Sequence, residues 1–506
     1  MLKRSNRMNG LWNLDPIYRG FDDPAFEADM KEFKENVARF EAFAAELEGC
    51  EPVEGLRQGV ELEERIQDLV SKLAEYAMLR QAAETTNSEA GSQMGRIFGV
   101  YSGVAGPEAA FKAWAAQLPN LMELVEADDR LREYRFLFAN MADSSRYLLS
   151  GKGEQIMARM QMSGSSAWSE LQQYLTSTVP VTYRGQTLNL STVRNLASDA
   201  DPAVRKDAFE AELACYDRIK DAVAYALNSI KLETLSDCLL RGYDSPLERT
   251  LKGAYMKRET LDAMFAAMEE YLPKFWQYLK TKAKALGHEN GLPWYDLFAP
   301  MGSSSTKLTV EEARDYLLEQ FTAFDPEIAD MIATAFDNEW IDFFPRSGKQ
   351  GGAFCAGVEC IGESRILTNF DGRFSDVVTL AHELGHAFHN QCIGSHRPLN
   401  RAYSMPLAET ASTFNECVVM ASAIGKAADD AERIALIESQ LQDTTQIICD
   451  IYSRYKFEDR VLNEREEKFM DAQTLCDYMT EAQKQCYGDG LDTSCLHPYM
   501  WVNKSN

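Results

Sequence analysis

The chain has 506 residues, 45% of them hydrophobic and 26% charged, which is the make-up of a globular protein with room for two to four domains. Its 52 Lys and Arg against 78 Asp and Glu leave a formal charge of −26, a surface that repels nucleic acid and anionic membranes. That charge either favours basic peptides as partners or serves solubility alone.

Residues 1–20 read as a lead-in segment. The start, from Met1 to Met8, is basic with no apolar core behind it, so it does not read as a secretory signal. Asp23-Pro24 then opens a helix, and Phe26, Met30, Phe33, Val37 and Phe40 keep helical spacing. Further helices are expected over 62–86, 88–105, 108–117, 121–128 and 154–162, with a polar break at Ser163-Gly164-Ser165-Ser166. Residues 179–188 change to a β-rich pattern with a turn at Arg184-Gly185. A boundary is placed there: residues 1–185 form an N-terminal helical lobe and 186–506 a catalytic domain. Helical patterns resume over 203–235, 258–286 and 310–324, and again over 434–462 and 472–485.

Between 351 and 370 the period changes. Gly351-Gly352 is a small-residue stretch, and 365–370 alternates like a strand with Ile366, Thr368 and Phe370 on one face. No run of eighteen apolar residues occurs, so no transmembrane helix is expected. The eleven cysteines include no Cys-x-x-Cys pair, the pattern of reduced, mostly buried thiols in a cytoplasmic protein.

The chemistry concentrates at His382-Glu383-Leu384-Gly385-His386. Histidines four apart share a helical face one turn apart, so both rings reach one metal ion. Glu383 lies roughly 100° around the helix from His382, where it can touch a water without binding the metal. Val377, Leu380, Leu384 and Phe388 make the opposite, apolar face, and Ser375-Asp376 is the expected helix start. His389 lies about 10 Å along the axis from His382, too far to share its ion, and is expected behind the ligands or in packing.

A tetrahedral zinc site needs one more protein ligand beside its water. Glu409 is the candidate, on a helical pattern with Leu407, Ala411, Phe414 and Val418 on one face and Glu409, Thr413 and Glu416 on the other. Glu416 is placed to orient a ligating imidazole.

Residues 382–389, followed by 409–416, resemble oligoendopeptidase F, a branch of the thimet-oligopeptidase-like metallopeptidases. The stretches 346–355, 365–372, 11–15 and 21–26 share the likeness, which covers nearly the whole chain. The resemblance implies a mainly α, zincin-type metallopeptidase, with two mostly helical lobes around a deep channel and a small β-sheet near the metal helix. It implies one Zn2+ per chain held by His382, His386 and Glu409, Glu383 as the catalytic base, and short peptides as substrates cut at internal bonds. No residue is assigned to substrate side chains. The strand at 365–370 either pairs with an extended substrate backbone or is a purely structural hairpin.

Family members continue past the 496–501 region into a segment with a His and Tyr pair thought to stabilise the transition state. His497 and Tyr499 resemble the lead-in to that segment. The alternative to an active enzyme is therefore a catalytically impaired, zinc-bound peptide binder or fragment. No nucleic acid or membrane partner is expected.

Overall fold

The structure, a computed structural model, describes residues 10–302 and 307–504. Helices dominate. The strands among the described residues are β1 (Val181–Tyr183), β2 (Gln186–Leu188), β3 (Ile341–Asp342), β4 (Phe354–Val358) and β5 (Glu363–Leu367). No helix among these residues is long and apolar enough to cross a membrane. The eleven cysteines form no disulfide, and only five are buried, short of the expected majority.

Two compact units divide the chain: Met1–Arg146 with Ser305–Gly425, and Tyr147–Ser304 with Lys426–Asn506. Each is built from two separated stretches of sequence. A single boundary at 185 coincides with neither.

In the first unit, helix α1 (Pro24–Glu46) starts where Asp23 Oδ1 accepts from the Ala25 N–H at 2.9 Å and Pro24 takes the first position. Its expected face, Phe26, Met30, Phe33, Val37 and Phe40, is buried. Helix α2 (Pro52–Ala83) begins ten residues before the expected start at 62, because Glu51 caps it and Pro52 initiates it. Tyr18, Phe21, Phe26 and Tyr76 join α1, α2 and the lead-in through edge-to-face ring contacts.

The sheet of this unit has the order β3-β5-β4. Strand β5 pairs parallel with β3 (Ile341 opposite Ile366) and antiparallel with β4 (Phe354 opposite Leu367, Val358 opposite Glu363). Both edges of β5 are thus occupied. The strand expected at 365–370 cannot pair with a substrate; the outer edge of β4 carries no strand among the described residues.

Helix α3 (Phe374–Ile393) packs on β4 and β5. Val377, Leu380 and Leu384 are buried in one core with Ile366 and Phe370, as the apolar spacing requires. The helix starts a residue before the expected Ser375-Asp376. Arg373 is the cap, and Asp376 Oδ2 accepts from the N–H groups of Asp371 and Arg373 at 2.8 and 3.0 Å. Helix α4 (Thr410–Lys426) follows the connection after α3.

In the second unit, β1 and β2 form a hairpin at the expected turn. The helical stretch expected to start at Asp201-Pro202 and run over 203–235 with breaks is two helices, Pro202–Tyr216 capped by Asp201 and Lys220–Arg241. The expected 434–462 helix is Asp430–Thr445 and Tyr452–Arg465, joined by one π-helical stretch, Gln446–Ile451. His497 is buried with Nε2 3.2 Å from Glu212 Oε1, and the Tyr499 hydroxyl donates to Asp217 Oδ1 at 3.2 Å.

Candidate metal centre

His382 and His386 stand one turn apart on α3, ring centroids 4.9 Å apart and nearly perpendicular at 83°. Their Nε2 atoms are 3.2 Å apart. Glu409 Oε2 lies 3.2 Å from His382 Nε2 and 3.3 Å from His386 Nε2. A tetrahedral ion with bonds of about 2.0–2.1 Å spaces its ligand atoms about 3.3 Å apart. This triangle of two ring nitrogens and a carboxylate oxygen has that spacing, and its donor types suit zinc. Among the described residues it is the one cluster of three or more such side chains with metal-binding spacing.

Tautomers support the same fit. His382 Nδ1 lies 2.5 Å from Glu416 Oε1, so Nδ1 carries the proton and donates. In the neutral ring, Nε2 then faces the triangle as a lone pair. The Ser412 hydroxyl donates to Glu409 Oε2 at 2.7 Å and steadies that carboxylate.

Gly385 explains how the two helices come this close. A Cβ built there would sit 2.6 Å from Ala411 O and 2.7 Å from Ser412 Cα, both backbone atoms. Small residues on α4 face α3: Ser412 is fully buried, and buried Asn415 donates from Nδ2 to Ala381 O at 3.1 Å. Here the structure overturns an expectation. Leu407 and Phe414, taken as the apolar face, are 55% and 47% exposed, while Ser412, Asn415 and Val419 are buried. Close packing selected small and hydrogen-bonding side chains over large apolar ones. Glu409 itself precedes α4 rather than lying on it.

Glu383 is 5% exposed, beside the pair but outside the triangle. Burial pushes its carboxyl up to about 7, against the pull of His382 and with the help of Glu409 and Glu416. That position belongs to the metal-free chain; a cation in the triangle draws it down. The hydrogen bond to Glu416 raises the His382 pKa, while burial lowers that of His386. His389 lies outside the cluster, its ring 4.5 Å from that of Tyr403 and its Nδ1 buried without a partner.

Two anchors were not legible as such in the sequence. The Lys349 ammonium is fully buried and donates to Asp342 Oδ1 at 2.8 Å and to Thr368 O at 2.5 Å. Arg346 grips both oxygens of Asp342 at 2.7 and 2.8 Å. Together they pin the 346–352 loop that leads into β4. Buried Arg365 donates from Nε to Asn13 O at 2.7 Å, tying the lead-in to the sheet. The stretches 346–355 and 365–372 carry the likeness to oligoendopeptidase F, but no sequence feature assigned Arg346, Lys349 or Arg365 a role.

A mainly helical fold with the His-Glu-x-x-His helix against a small sheet defines a zincin-type metallopeptidase. The family model described as Peptidase family M3 matches residues 195–502, and one described as Oligopeptidase F matches 116–179. The chain belongs to peptidase family M3 and is a metalloendopeptidase. Oligopeptidase PepF of Bacillus subtilis is 22% identical over 496 residues, spanning 95% of this chain and 72% of its own length. A candidate peptidase structure from Chlamydophila abortus aligns with a TM-score of 0.84 at 20% identity, over 99% of this chain and 85% of that one. Oligoendopeptidase F from Enterococcus faecium aligns with a TM-score of 0.64 at 18% identity, over 95% of this chain and 84% of that one. The resemblance to oligoendopeptidase F drawn from the sequence holds.

Proposed function

We propose that the chain is a zinc-dependent endopeptidase of short peptides, with His382, His386 and Glu409 holding one zinc ion and Glu383 moving the proton. The observation that carries this reading is the triangle of 3.2–3.3 Å edges with Glu383 beside it. Zinc bound there would polarise the scissile carbonyl and bring the pKa of a water toward neutrality. A Glu383 carboxylate oxygen accepts the proton released as water adds to the carbonyl carbon. The C–N bond then breaks, and the same carboxyl delivers that proton to the departing amine nitrogen. Glu416 holds the His382 ring in the tautomer that leaves Nε2 free.

The peptide lies extended along the outer edge of β4. Main-chain hydrogen bonds there read backbone more than side chain, which suits an enzyme of many short substrates. The test uses internally quenched peptides with blocked N-termini. The zinc-loaded chain should cleave them, a chelator should stop cleavage, and zinc should restore it. A full equivalent of bound zinc with no cleavage of any such peptide would sink the proposal.

A further inference from the structure

Helix α3 carries a third histidine on its metal face. His389 follows His386 by three positions, so the two share a side of the helix. Its ring packs 4.5 Å from the ring of Tyr403, with the planes tilted by 43°. Tyr403 belongs to the connection between α3 and α4, ahead of Glu409.

That connection is fastened just before Tyr403. Arg397 donates to Glu64 Oε1 and Oε2 at 2.7 and 3.0 Å. Asn400 Nδ2 donates to Glu133 O at 2.7 Å. Arg401 donates to His396 O at 2.9 Å and to Glu359 Oε2 at 3.0 Å. A side chain on so anchored a support has less freedom to lose when it meets a substrate.

Tyr403 is not used up by the fold. It is 41% exposed, and its hydroxyl has no hydrogen-bond partner among the described residues. His389 holds the ring while the polar end is left over. Two groups mark where that end lies. Burial raises the Tyr403 pKa most, and Cys355 on β4 and Glu409 in the triangle raise it further. Both are thus within electrostatic reach of the phenol. Cys355 in turn feels Glu383, which adds to the effect of burial on its thiol. The hydroxyl therefore shares one neighbourhood with the strand, the base and the triangle, and it stays protonated at neutral pH as a donor.

Hydrolysis of a peptide has work for such a donor. As water adds, the carbonyl oxygen becomes an anion, and losing one hydrogen bond to it typically costs about 10²–10³ in kcat. We propose that the Tyr403 hydroxyl donates a hydrogen bond to the scissile carbonyl oxygen as that charge develops. The phenol keeps its proton throughout, and His389 serves as the platform for its ring. This assignment rests on the peptidase reading above.

Tyr403→Phe tests it, since the change removes the hydroxyl and leaves the ring against His389. The zinc-loaded variant should lose about 10²–10³-fold in kcat on a blocked, internally quenched peptide, with KM nearly unchanged. Calorimetry with a phosphinic analogue of that peptide, tetrahedral at the scissile position, reads the same contact without turnover. Its affinity should fall by about tenfold or more. Affinity for the intact peptide, compared between Glu383→Gln and the double variant Glu383→Gln/Tyr403→Phe, should stay within about twofold. Zinc content and circular dichroism should match the unaltered chain. Tyr403→Leu, scored in the same way, decides the matter if Tyr403→Phe fails to fold. An undiminished kcat in the folded variant would overturn the assignment. So would an unchanged affinity for the phosphinic analogue, or equal losses for the analogue and the intact peptide. An unaltered chain that holds zinc and cleaves no peptide would instead bring down the peptidase reading, and this assignment with it.

Discussion

His382 turns Nδ1 onto Glu416 Oε1 at 2.5 Å and Nε2 toward Glu409 Oε2 at 3.2 Å, so one imidazole links a carboxylate behind it to a carboxylate in front. The rear carboxylate fixes the tautomer and makes the ring a better ligand. Glu416→Ala should therefore bind zinc about 10–100-fold more weakly, with its melting temperature in chelator nearly unchanged. Competition with a chromophoric chelator measures the affinity. Equal affinity in the two chains would leave Glu416 a bystander.

Glu383 and Glu409 should separate cleanly by substitution. Glu383→Gln should retain a full equivalent of zinc and lose about 10²–10⁴-fold in kcat on a quenched peptide. Glu409→Ala should emerge from dialysis with little zinc, because two imidazoles alone leave the ion short of a protein ligand. Metal analysis beside the rate assay gives both readouts. Brisk turnover by Glu383→Gln would remove Glu383 from the proton transfer, and stoichiometric zinc in Glu409→Ala would remove Glu409 from the ligand set.

Gly385 sits against the α4 backbone with no room for a methyl group. Gly385→Ala should force α3 and α4 apart and draw Glu409 away from the two rings. Overpacking of this kind costs about 1–3 kcal/mol. Both the melting temperature and the zinc affinity should fall. A variant that melts lower yet binds zinc normally would show that the close approach serves stability only.

Most of this centre was legible in advance because its chemistry is local. Two histidines at i and i+4 declare their shared face in the sequence, and Val377, Leu380 and Leu384 declare the other. Glu409 was legible by position after the motif, not by its helix, whose packing was misread. Leu407 and Phe414 had the right spacing for a buried stripe, but spacing carries no information about how closely a neighbour approaches. That was set by Gly385, whose role depends on Ala411 and Ser412. The central place of β5 is likewise a product of pairing with a distant strand, and the Lys349–Asp342 pair, though close in sequence, depends on the burial of Asp342 in β3. The two-part make-up of each unit has no local signal at all.

Glu63 gives the first unit a pH dependence. It is buried on α2, its Oε1 has no partner, and burial, with a smaller push from Glu108, raises its carboxyl from 4.5 to about 8. The folded chain thus keeps a proton that the unfolded chain releases near pH 4.5. Stability from this site falls as pH rises from about 4.5 toward 8, and the loss is complete above the folded value. Glu63→Gln should melt close to the unaltered chain at pH 4–5. At pH 9 it should be more stable by an amount on the order of 2–4 kcal/mol. Parallel melting curves with pH would show that Glu63 ionises freely in the fold.

The first unit opens with Met1–Arg146 and closes only with Ser305–Gly425. On a ribosome, its early helices must wait for a further 279 residues (425 − 146) before the partner segment is made. At about 5–20 residues per second, that is roughly 15–55 s with a face uncovered. All three proposed zinc ligands arrive in the late segment. The ion can therefore add nothing to the early helices until that segment is made, and a nascent chain has to be shielded by other means until then.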